Sequence, residues 1–263
     1  MSRLHQRGCL GAAGMRLLAD LGNTRLKCAL ADGRKLVATW AGSHAQAGFL
    51  DDLQGWLAGE AAMIGETWLA SVAREEVTAA VAARLESIGP SPRRARVSAQ
   101  ALGVTVGYER VDELGVDRWL ALLAARARGL GPCIVASVGS ALTIDALLAD
   151  GRHLGGLIAP TPDAMREALY ARAPALPRAR GEIAAFATGT ASGIESGCLL
   201  ASIALIERSA ARLADHAGAR VARVLSGGGA QPLRPWLDEH RFLPDLVLEG
   251  LALWAQATLL PGD

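Results

Sequence analysis

The sequence has few aromatic residues, few cysteines and no excess of charge of either sign. Aromatic residues make up 4% of the 263 residues, and 27 lysines and arginines nearly balance 26 aspartates and glutamates. The chain therefore lacks the basic stripe and the stacking rings typical of nucleic-acid binding. Its four cysteines are far apart with no CxxC pair, which excludes a cysteine-rich zinc site and favours a reduced, cytoplasmic protein.

Long uninterrupted apolar runs are also missing, although 51% of the residues are hydrophobic. Because glycine, arginine or aspartate breaks the longest runs within about ten residues, we predict no membrane-spanning segment. Residues 1–14 have no apolar stretch of signal-peptide length. We expect this segment to be a disordered tail or the product of a mis-assigned start.

Short apolar runs closed by glycine, asparagine or aspartate alternate with stretches of helical periodicity. The runs predict strands at 16–21, 25–31, 35–40, 66–71, 94–98, 133–137, 142–147, 153–158 and 221–225. The periodicity predicts helices near 47–58, 75–89, 117–128, 162–171, 192–215, 230–239 and 250–258. This alternation is typical of an α/β fold.

One stretch of the chain occurs twice. LLADLGNTRLKCAL at 17–30 is similar to IVASVGSALTIDAL at 134–147, and each copy runs from apolar residues through a small-residue turn into alternation. The repeat predicts two similar halves, which we place at 15–123 and 124–263.

The first of these turns has the residue types of a phosphate site. Gly22 and Asn23 tolerate positive φ and predict a tight hairpin whose backbone N–H groups form an anion nest. Asp20 precedes the turn, where it could hold magnesium, while Thr24 offers a hydroxyl and Lys27 a positive charge. An ordinary hairpin with a solvated lysine explains the same residues equally well.

Four separated segments together resemble the type III pantothenate kinases, a family of the acetate and sugar kinase/Hsp70/actin superfamily. They are DLGNTRLK at 20–27, GVDRW at 115–119, VGSALTID at 138–145 and GGLIAP at 155–160. The resemblance covers about residues 15–258. It implies two ribonuclease H-like halves of the actin-like ATPase fold, with the active site in the cleft between them, and ATP-dependent phosphorylation of pantothenate to 4'-phosphopantothenate, the first step of coenzyme A biosynthesis.

The resemblance also implies a set of site residues. Asp117 is the implied general base, and Asp20 is implied to hold Mg²⁺ directly or through water. The residues implied to bind ATP are Asp20, Leu21, Gly22, Asn23, Thr24, Arg25, Leu26, Lys27 and Ser140. The residues implied to bind pantothenate are Tyr108, Gly115, Val116, Asp117, Arg118 and Thr190.

Several of these residues also have a purely structural alternative. Asp117 could favour its helix N-terminus electrostatically, and Thr190 could cap its helix. Arg118 could form a surface salt bridge, or act by neutralising phosphate charge or binding the substrate carboxylate. Tyr108 could be a core ring with its hydroxyl at the surface.

The chain departs from the family pattern at the second turn and beyond. Most members have an aspartate at the position of Ser137 that helps hold a monovalent cation, K⁺ or NH₄⁺. A neutral hydroxyl is a poor ligand for a hard cation, so we expect this site to be lost or weakened. Asp145 could serve the cation instead, or be a simple strand-end acid. Thr161 replaces a common glycine and could narrow the approach to substrate, whereas the glycines at 227–229 could approach adenine or form a structural turn.

The resemblance implies a homodimer whose partner completes the pantothenate pocket. Two alternatives remain open: a nucleotide-binding regulatory protein of the same fold without turnover, and a kinase for another small hydroxylated or carboxylated metabolite. The retained pair Asp20 and Asp117 favours an enzyme, because a non-catalytic binder needs no general base beside its phosphate site.

Overall fold

A computed structural model describes residues 14–259 of the chain. The prediction for the N-terminal tail therefore lies, apart from Gly14, outside the described residues. The strands are β1 (Met15–Leu21), β2 (Arg25–Asp32), β3 (Lys35–Ser43), β4 (Ile64–Ser71), β5 (Arg93–Arg94), β6 (Gln100–Ala101), β7 (Val104–Thr105), β8 (Cys133–Val138), β9 (Leu142–Leu147), β10 (His153–Ala159), β11 (Ala222–Ser226) and β12 (His240–Phe242). The α-helices are α1 (Phe49–Leu57), α2 (Glu75–Glu86), α3 (Val116–Ala127), α4 (Pro162–Arg172), α5 (Thr190–Ala217) and α6 (Leu246–Leu259).

The chain divides into two compact units, each built on one five-stranded sheet. Among the described residues, the first unit comprises 14–102, 109–124 and 246–259, and the second comprises 103–108 and 125–245. The predicted halves followed chain order. The observed division differs because the C-terminal helix packs on the first sheet and a short segment near residue 105 packs on the second.

Both sheets have the same strand order and the same strand directions. The first runs β3-β2-β1-β4-β5 and the second β10-β9-β8-β11-β12. In each, the first three strands form an antiparallel meander and the last two add in parallel. The two copies of the repeated stretch form β1 with β2 and β8 with β9. The predicted duplication of an α/β half is therefore confirmed as a duplicated topology.

The first sheet is covered by helices on the first unit's own chain segments. One face of β1 joins residues of α1 and α2 in a buried cluster that includes Leu17, Leu53 and Leu85. Helix α6 packs on the strands of the same sheet. A Cβ on Gly250 of α6 would lie 1.9 Å from the carbonyl oxygen of Leu120 in α3, so glycine at this position lets the two helices pack backbone against backbone.

The second unit has its own core, and α5 runs along it. This helix is long and apolar enough to cross a membrane by length and composition alone. Its residues Leu199, Ile203 and Ile206 are buried in one cluster with Ile134 of β8. A core helix passes the same test, and this burial favours that interpretation of α5.

The predicted elements differ from the observed ones mainly at short or proline-containing segments. The strand expected at 94–98 is confined to β5. The helix expected at 230–239 is a 3₁₀ helix, Gly228–Trp236, with Pro232 and Pro235 inside it. Proline has no N–H to donate to the preceding turn, which disfavours an α-helix there. The short strands β6, β7 and β12 lacked a pattern long enough to predict them.

Candidate active site

Asp20 lies near the carboxyl end of β1, the central strand of the first sheet. Its cross-strand neighbours are Lys27 on β2 and Ala70 on β4. Residues directly opposite each other in a sheet point to the same face, so the lysine and the aspartate lie side by side. Asp20 is only partly exposed, which leaves its carboxylate short of water.

The turn that follows Asp20 is held by hydrogen bonds within the first unit. The backbone N–H of Gly22 donates to the carbonyl of Arg25 at 2.9 Å. Among the described residues, positive φ occurs at neither Gly22 nor Asn23, so the predicted positive-φ turn is wrong. The four-residue turn is wide enough to close with ordinary backbone angles. Since the Gly22 N–H is used inside the hairpin, it is not part of an anion nest.

Two residues at the end of β3 support this hairpin, and the sequence analysis did not identify them. His44 Nε2 donates to the Gly22 carbonyl at 3.3 Å, and the Ser43 hydroxyl donates to the Thr24 carbonyl at 3.2 Å. The His44 backbone N–H also donates to the Thr24 carbonyl at 3.3 Å. The sequence carried no signal for this role, because the contact joins residues that are adjacent only once β2 and β3 pair.

Asp117 lies in the first turn of α3. Its Oδ1 accepts from the backbone N–H of Arg118 at 2.8 Å, and the Trp119 N–H donates to the Gly115 carbonyl at 3.0 Å. A Cβ on Gly115 would lie 2.6 Å from Asp117 Oδ1. Glycine at 115 therefore leaves room for the carboxylate. The helix-terminus role offered as an alternative for Asp117 is present, and it also orients the side chain.

The charges of Asp20 and Asp117 interact within the first unit. The pKa of Asp20 is raised from 3.8 to about 7, chiefly because burial removes water from the carboxylate and secondly because Asp117 is negative; Lys27 opposes the shift. A buried carboxylate whose pKa is raised by a neighbouring acid is typical of functional sites. The two acids that the motifs singled out thus share one electrostatic environment.

Arg118 differs from its structural alternative, whereas the alternative for Tyr108 is not contradicted. The Arg118 side chain is 6% exposed, so the surface salt bridge is wrong for it. Tyr108 is half-buried, and its ring stacks on that of His153 with centroids 5.6 Å apart and planes at 20°. The ring partner of Tyr108 was not identified from the sequence.

Ser137 occupies on β8 the place that Asp20 occupies on β1. Its cross-strand neighbours are Thr143 on β9 and Ser226 on β11. Three neutral hydroxyl residues therefore stand in a row where the first sheet has a charged pair. This row contains no carboxylate for a hard cation.

The second turn is bracketed by a hydrogen bond from the Gly139 N–H to the Ala141 carbonyl, at 3.0 Å. Ser140 is exposed at its tip. A Cβ on Gly227, which has φ 87°, would lie 2.3 Å from the Val138 carbonyl oxygen. The structural interpretation of the late glycines is therefore supported by their close approach to the strand that leads into this turn.

Asp145 is a buried residue within β9. Its Oδ1 accepts from His153 Nε2 at 2.9 Å, and the side chains are 3% and 0% exposed, respectively. It is therefore not a strand-end acid at the surface, and its carboxylate is engaged by an imidazole. These observations contradict the simple alternative and give Asp145 a partner that the sequence analysis left out.

The two threonines near α4 and α5 differ in their capping roles. Thr161 Oγ1 accepts from the Ala164 N–H at 3.2 Å, and Pro162 follows at the first helical position. Thr190 is the first residue of α5, whose N-cap is Gly189, without a side-chain cap bond. The capping alternative for Thr190 is wrong. Its side chain is exposed and lines a largely apolar groove of about 730 Å³, together with Pro160, Met165, Leu169, Ile194 and Cys198.

The donor set around Asp20 suits magnesium better than a metal held wholly by protein. Among residues 14–259, no group of three or more histidine, cysteine, aspartate or glutamate side chains is placed to hold a metal ion. Magnesium in phosphoryl-transfer sites takes one or two carboxylates and keeps water and phosphate oxygens as its other ligands. A carboxylate whose ionisation is opposed by a second acid is stabilised by such a cation.

Comparison with known proteins agrees with the motifs. The family model for type III pantothenate kinase matches residues 16–212. A type III pantothenate kinase of Xanthomonas campestris pv. campestris (strain 8004) is 44% identical over 245 residues, covering 93% of this chain and 98% of the relative. One of Stenotrophomonas maltophilia (strain K279a) is 41% identical over 248 residues, covering 90% and 96%.

Solved structures of low identity share the fold. A protein described as a Baf family transcriptional activator, from Campylobacter jejuni, has a TM-score of 0.58 at 18% identity and covers 92% of this chain and 98% of its own. A protein described as a 2-dehydro-3-deoxygalactonokinase, from Sinorhizobium meliloti, has a TM-score of 0.58 at 17% identity and covers 94% and 100%. The chain shares its fold with these two proteins, and it belongs to the type III pantothenate kinase family.

Proposed function

We propose that this chain transfers the γ-phosphoryl group of ATP to the primary hydroxyl of pantothenate, the first step of coenzyme A biosynthesis. The observation that carries the proposal is the electrostatic coupling of Asp20 and Asp117 in the first unit. A phosphoryl-transfer site needs a carboxylate that holds the metal on the phosphate side and a base on the acceptor side. The family motifs supply these two residues.

Asp117 is proposed to accept the proton of the pantothenate hydroxyl. Its Oδ1 accepts from the Arg118 N–H at 2.8 Å, which orients the carboxylate at the start of α3. A carboxylate at a helix N-terminus is a weak base. Phosphoryl transfer tolerates a weak base because its transition state is loose and catalysis rests on positioning and charge stabilisation.

Arg118, Gly115 and Val116 are proposed to form the acceptor side of the site around Asp117. The Arg118 residue is buried, so charge on a substrate bound beside it is weakly screened. It suits either the transferred phosphoryl group or the carboxylate of pantothenate. Tyr108 and Thr190 are proposed as further pantothenate contacts, on the strength of the family motifs alone.

ATP is proposed to bind through residues 20–27, with Lys27 neutralising phosphate charge beside Asp20, and through the Ser140 hydroxyl on the second hairpin. Asp20 would hold Mg²⁺, directly or through water. When bound, Mg²⁺ neutralises the phosphate oxygens. The row of hydroxyls at Ser137 supports a reaction that does not depend on K⁺ or NH₄⁺.

We also propose a cytoplasmic homodimer. Large apolar side chains are exposed on β10 and α4, namely Leu154, Leu157, Ile158 and Leu169. Exposed apolar surface marks interaction sites in many proteins, and this surface belongs to the same unit as the groove at Thr190. A second copy covering it would bring a partner surface to that groove.

A coupled ADP-release assay with pantothenate, with and without potassium, tests the proposal. We expect turnover that requires pantothenate and Mg²⁺ and that potassium does not raise. Turnover with a sugar or acetate but not with pantothenate would reassign the substrate. ATP binding without turnover on any acceptor would favour the regulatory alternative.

A further inference from the structure

A buried histidine, paired with a buried aspartate, lies against the ring of Tyr108 in the second unit. The His153 and Asp145 side chains are 0% and 3% exposed and are joined at 2.9 Å. The Tyr108 ring is stacked on the imidazole at 5.6 Å. None of the roles proposed above uses the histidine or the aspartate, although both lie on the hairpin of β9 and β10.

The backbone before Tyr108 is fitted to the start of β10. The Thr105 N–H donates to the Gly151 carbonyl at 3.0 Å, and Thr105 and Arg152 form a parallel bridge. A Cβ on Gly107 would lie 1.9 Å from the His153 carbonyl oxygen. The chain can therefore run this close to the histidine only with glycine at 107, and this path delivers the tyrosine ring onto the imidazole.

The imidazole is held by its bond to the aspartate. His153 Nε2 donates to Asp145 Oδ1, whereas Nδ1 is buried without a hydrogen-bond partner among the described residues. A buried polar atom without a partner costs free energy. Replacement of such a pair by apolar side chains of similar volume is often neutral or stabilising. Stability alone is therefore a weak explanation for this pair.

We infer that His153 and Asp145 are positioning residues that fix the Tyr108 ring and, through it, set the affinity for pantothenate. The inference rests on the proposed function, because Tyr108 touches pantothenate only if that function is right. Asp145 orients the imidazole, and the imidazole face supports the tyrosine ring. Neither residue takes part in proton or phosphoryl transfer.

Steady-state kinetics with a double-mutant cycle test the inference. In His153→Leu we expect KM for pantothenate to rise about tenfold, with kcat and KM for ATP changed less than about twofold. Tyr108→Leu should raise the same KM. In the Tyr108→Leu background His153→Leu should add less than about twofold, because a residue that acts through the ring has nothing left to position. Additive effects, an unchanged KM or a fall in kcat alone would overturn the inference.

Conservative variants show whether a rise in KM comes from lost positioning of the Tyr108 ring or from misfolding of the chain. Asp145→Asn keeps an oxygen that accepts from His153 and should retain KM within about threefold, whereas Asp145→Leu should behave like His153→Leu. His240→Leu, which removes a 2.9 Å bond from Nδ1 to the Leu237 carbonyl in the same unit, is the matched control and should leave KM unchanged. If His153→Leu does not fold, His153→Phe, which keeps a flat ring, takes its place with a smaller expected rise.

A readout without catalysis distinguishes failure of this inference from failure of the proposed function. The chain has two tyrosines, so fluorotyrosine labelling gives two resonances, and Tyr108→Phe identifies one of them. That resonance should shift in His153→Leu and not in His240→Leu. A wild-type protein inactive on pantothenate would overturn the proposed function even with the shift present. An active wild type with no shift and no KM change would overturn only the positioning role.

Discussion

The two units have the same strand order but opposite chemistry at the end of their central strands. In the first, Asp20 stands between Lys27 and Ala70; in the second, Ser137 stands between Thr143 and Ser226. Strand topology decides which residues are neighbours, and side-chain chemistry decides what they can bind. Only the first row carries the charges suited to a metal–triphosphate complex.

The two hairpins also differ in length. The first turn is closed between Gly22 and Arg25 and the second between Gly139 and Ala141, one residue shorter. The repeated stretch therefore aligns before the turn but not after it. Letter by letter Asp145 matches Cys28, yet by strand register it corresponds to Ala29, on the same sheet face as Ser137.

The largest effect that we expect is a loss of kcat when the proposed general base in the first unit is replaced. Asp117→Asn keeps the oxygen that accepts from Arg118 but removes the base, so kcat should fall about 10³-fold while ATP binding is spared. Steady-state kinetics and ATP titration measure both. Asp112→Asn, an exposed residue paired with Arg110, is the control. An unchanged kcat in Asp117→Asn would contradict the assigned role.

Asp20→Asn tests the charged row itself. Loss of the carboxylate should lower kcat/KM for ATP about 10²-fold, because the magnesium–triphosphate complex loses its acidic anchor. A magnesium titration of the rate should show a weakened dependence in the variant. If the variant kept the wild-type rate and the wild-type magnesium dependence, Asp20 would not be the anchor.

The pH dependence of the free energy of unfolding tests the charged row of the first unit in the absence of substrate. The Asp20 pKa is about 7 in the folded chain against an ordinary value of 3.8, so the folded state holds this proton more tightly than the unfolded state. The resulting stabilisation is complete below pH 4 and is lost as the pH rises towards 7. This rise of about three in the Asp20 pKa corresponds to about 4 kcal/mol in the free energy of unfolding. We halve this to about 2 kcal/mol because solvent screens a partly exposed group.

Asp20→Asn should therefore be more stable than the ligand-free wild type by about 2 kcal/mol at pH 8, with little difference at pH 4. Urea unfolding of both proteins at pH 8 and at pH 4 measures this difference in stability. Asp52→Asn, on the exposed side of α1, should show no such pH-dependent gain. A variant less stable than wild type at pH 8 would mean that the buried charge is already compensated.

The smallest expected effect lies in the second unit. Potassium in place of sodium should change the wild-type rate less than about twofold, because the hydroxyl row offers no carboxylate. Ser137→Asp should introduce a potassium stimulation of a few-fold, and Ser91→Asp, at an exposed site, should not. A strong potassium response of the wild type would show that neutral oxygens suffice here.

Much of the fold was predictable because it follows from local patterns. Apolar runs closed by turn residues located the long strands, and helical periodicity located α4. The segments that escaped prediction were short, such as β12, or contained prolines within an apparent helical pattern. The boundary between the two units was not predicted, because the packing of α6 on the first sheet depends on contacts between residues far apart in the chain.

The site was predictable as a set of residues but not as a set of contacts. Asp20 and Asp117 were identified by their motifs, yet the raised pKa of Asp20 depends on its burial in the fold and on the negative charge of Asp117. His44 and His153 gave no signal, since isolated histidines form no ligand spacing. Their partners, the Gly22 carbonyl and the Asp145 carboxylate, become neighbours only through strand pairing.

The sequence by itself determined the family, the duplicated α/β halves and the residues that can carry charge, because these depend on residue type, order and local periodicity. The tertiary structure alone decided which of those residues are buried, which are coupled, and which support another side chain. Burial and hydrogen bonding between distant residues depend on strand register and helix packing, and a shift of one residue in a turn, as between the two hairpins, changes every partner after it.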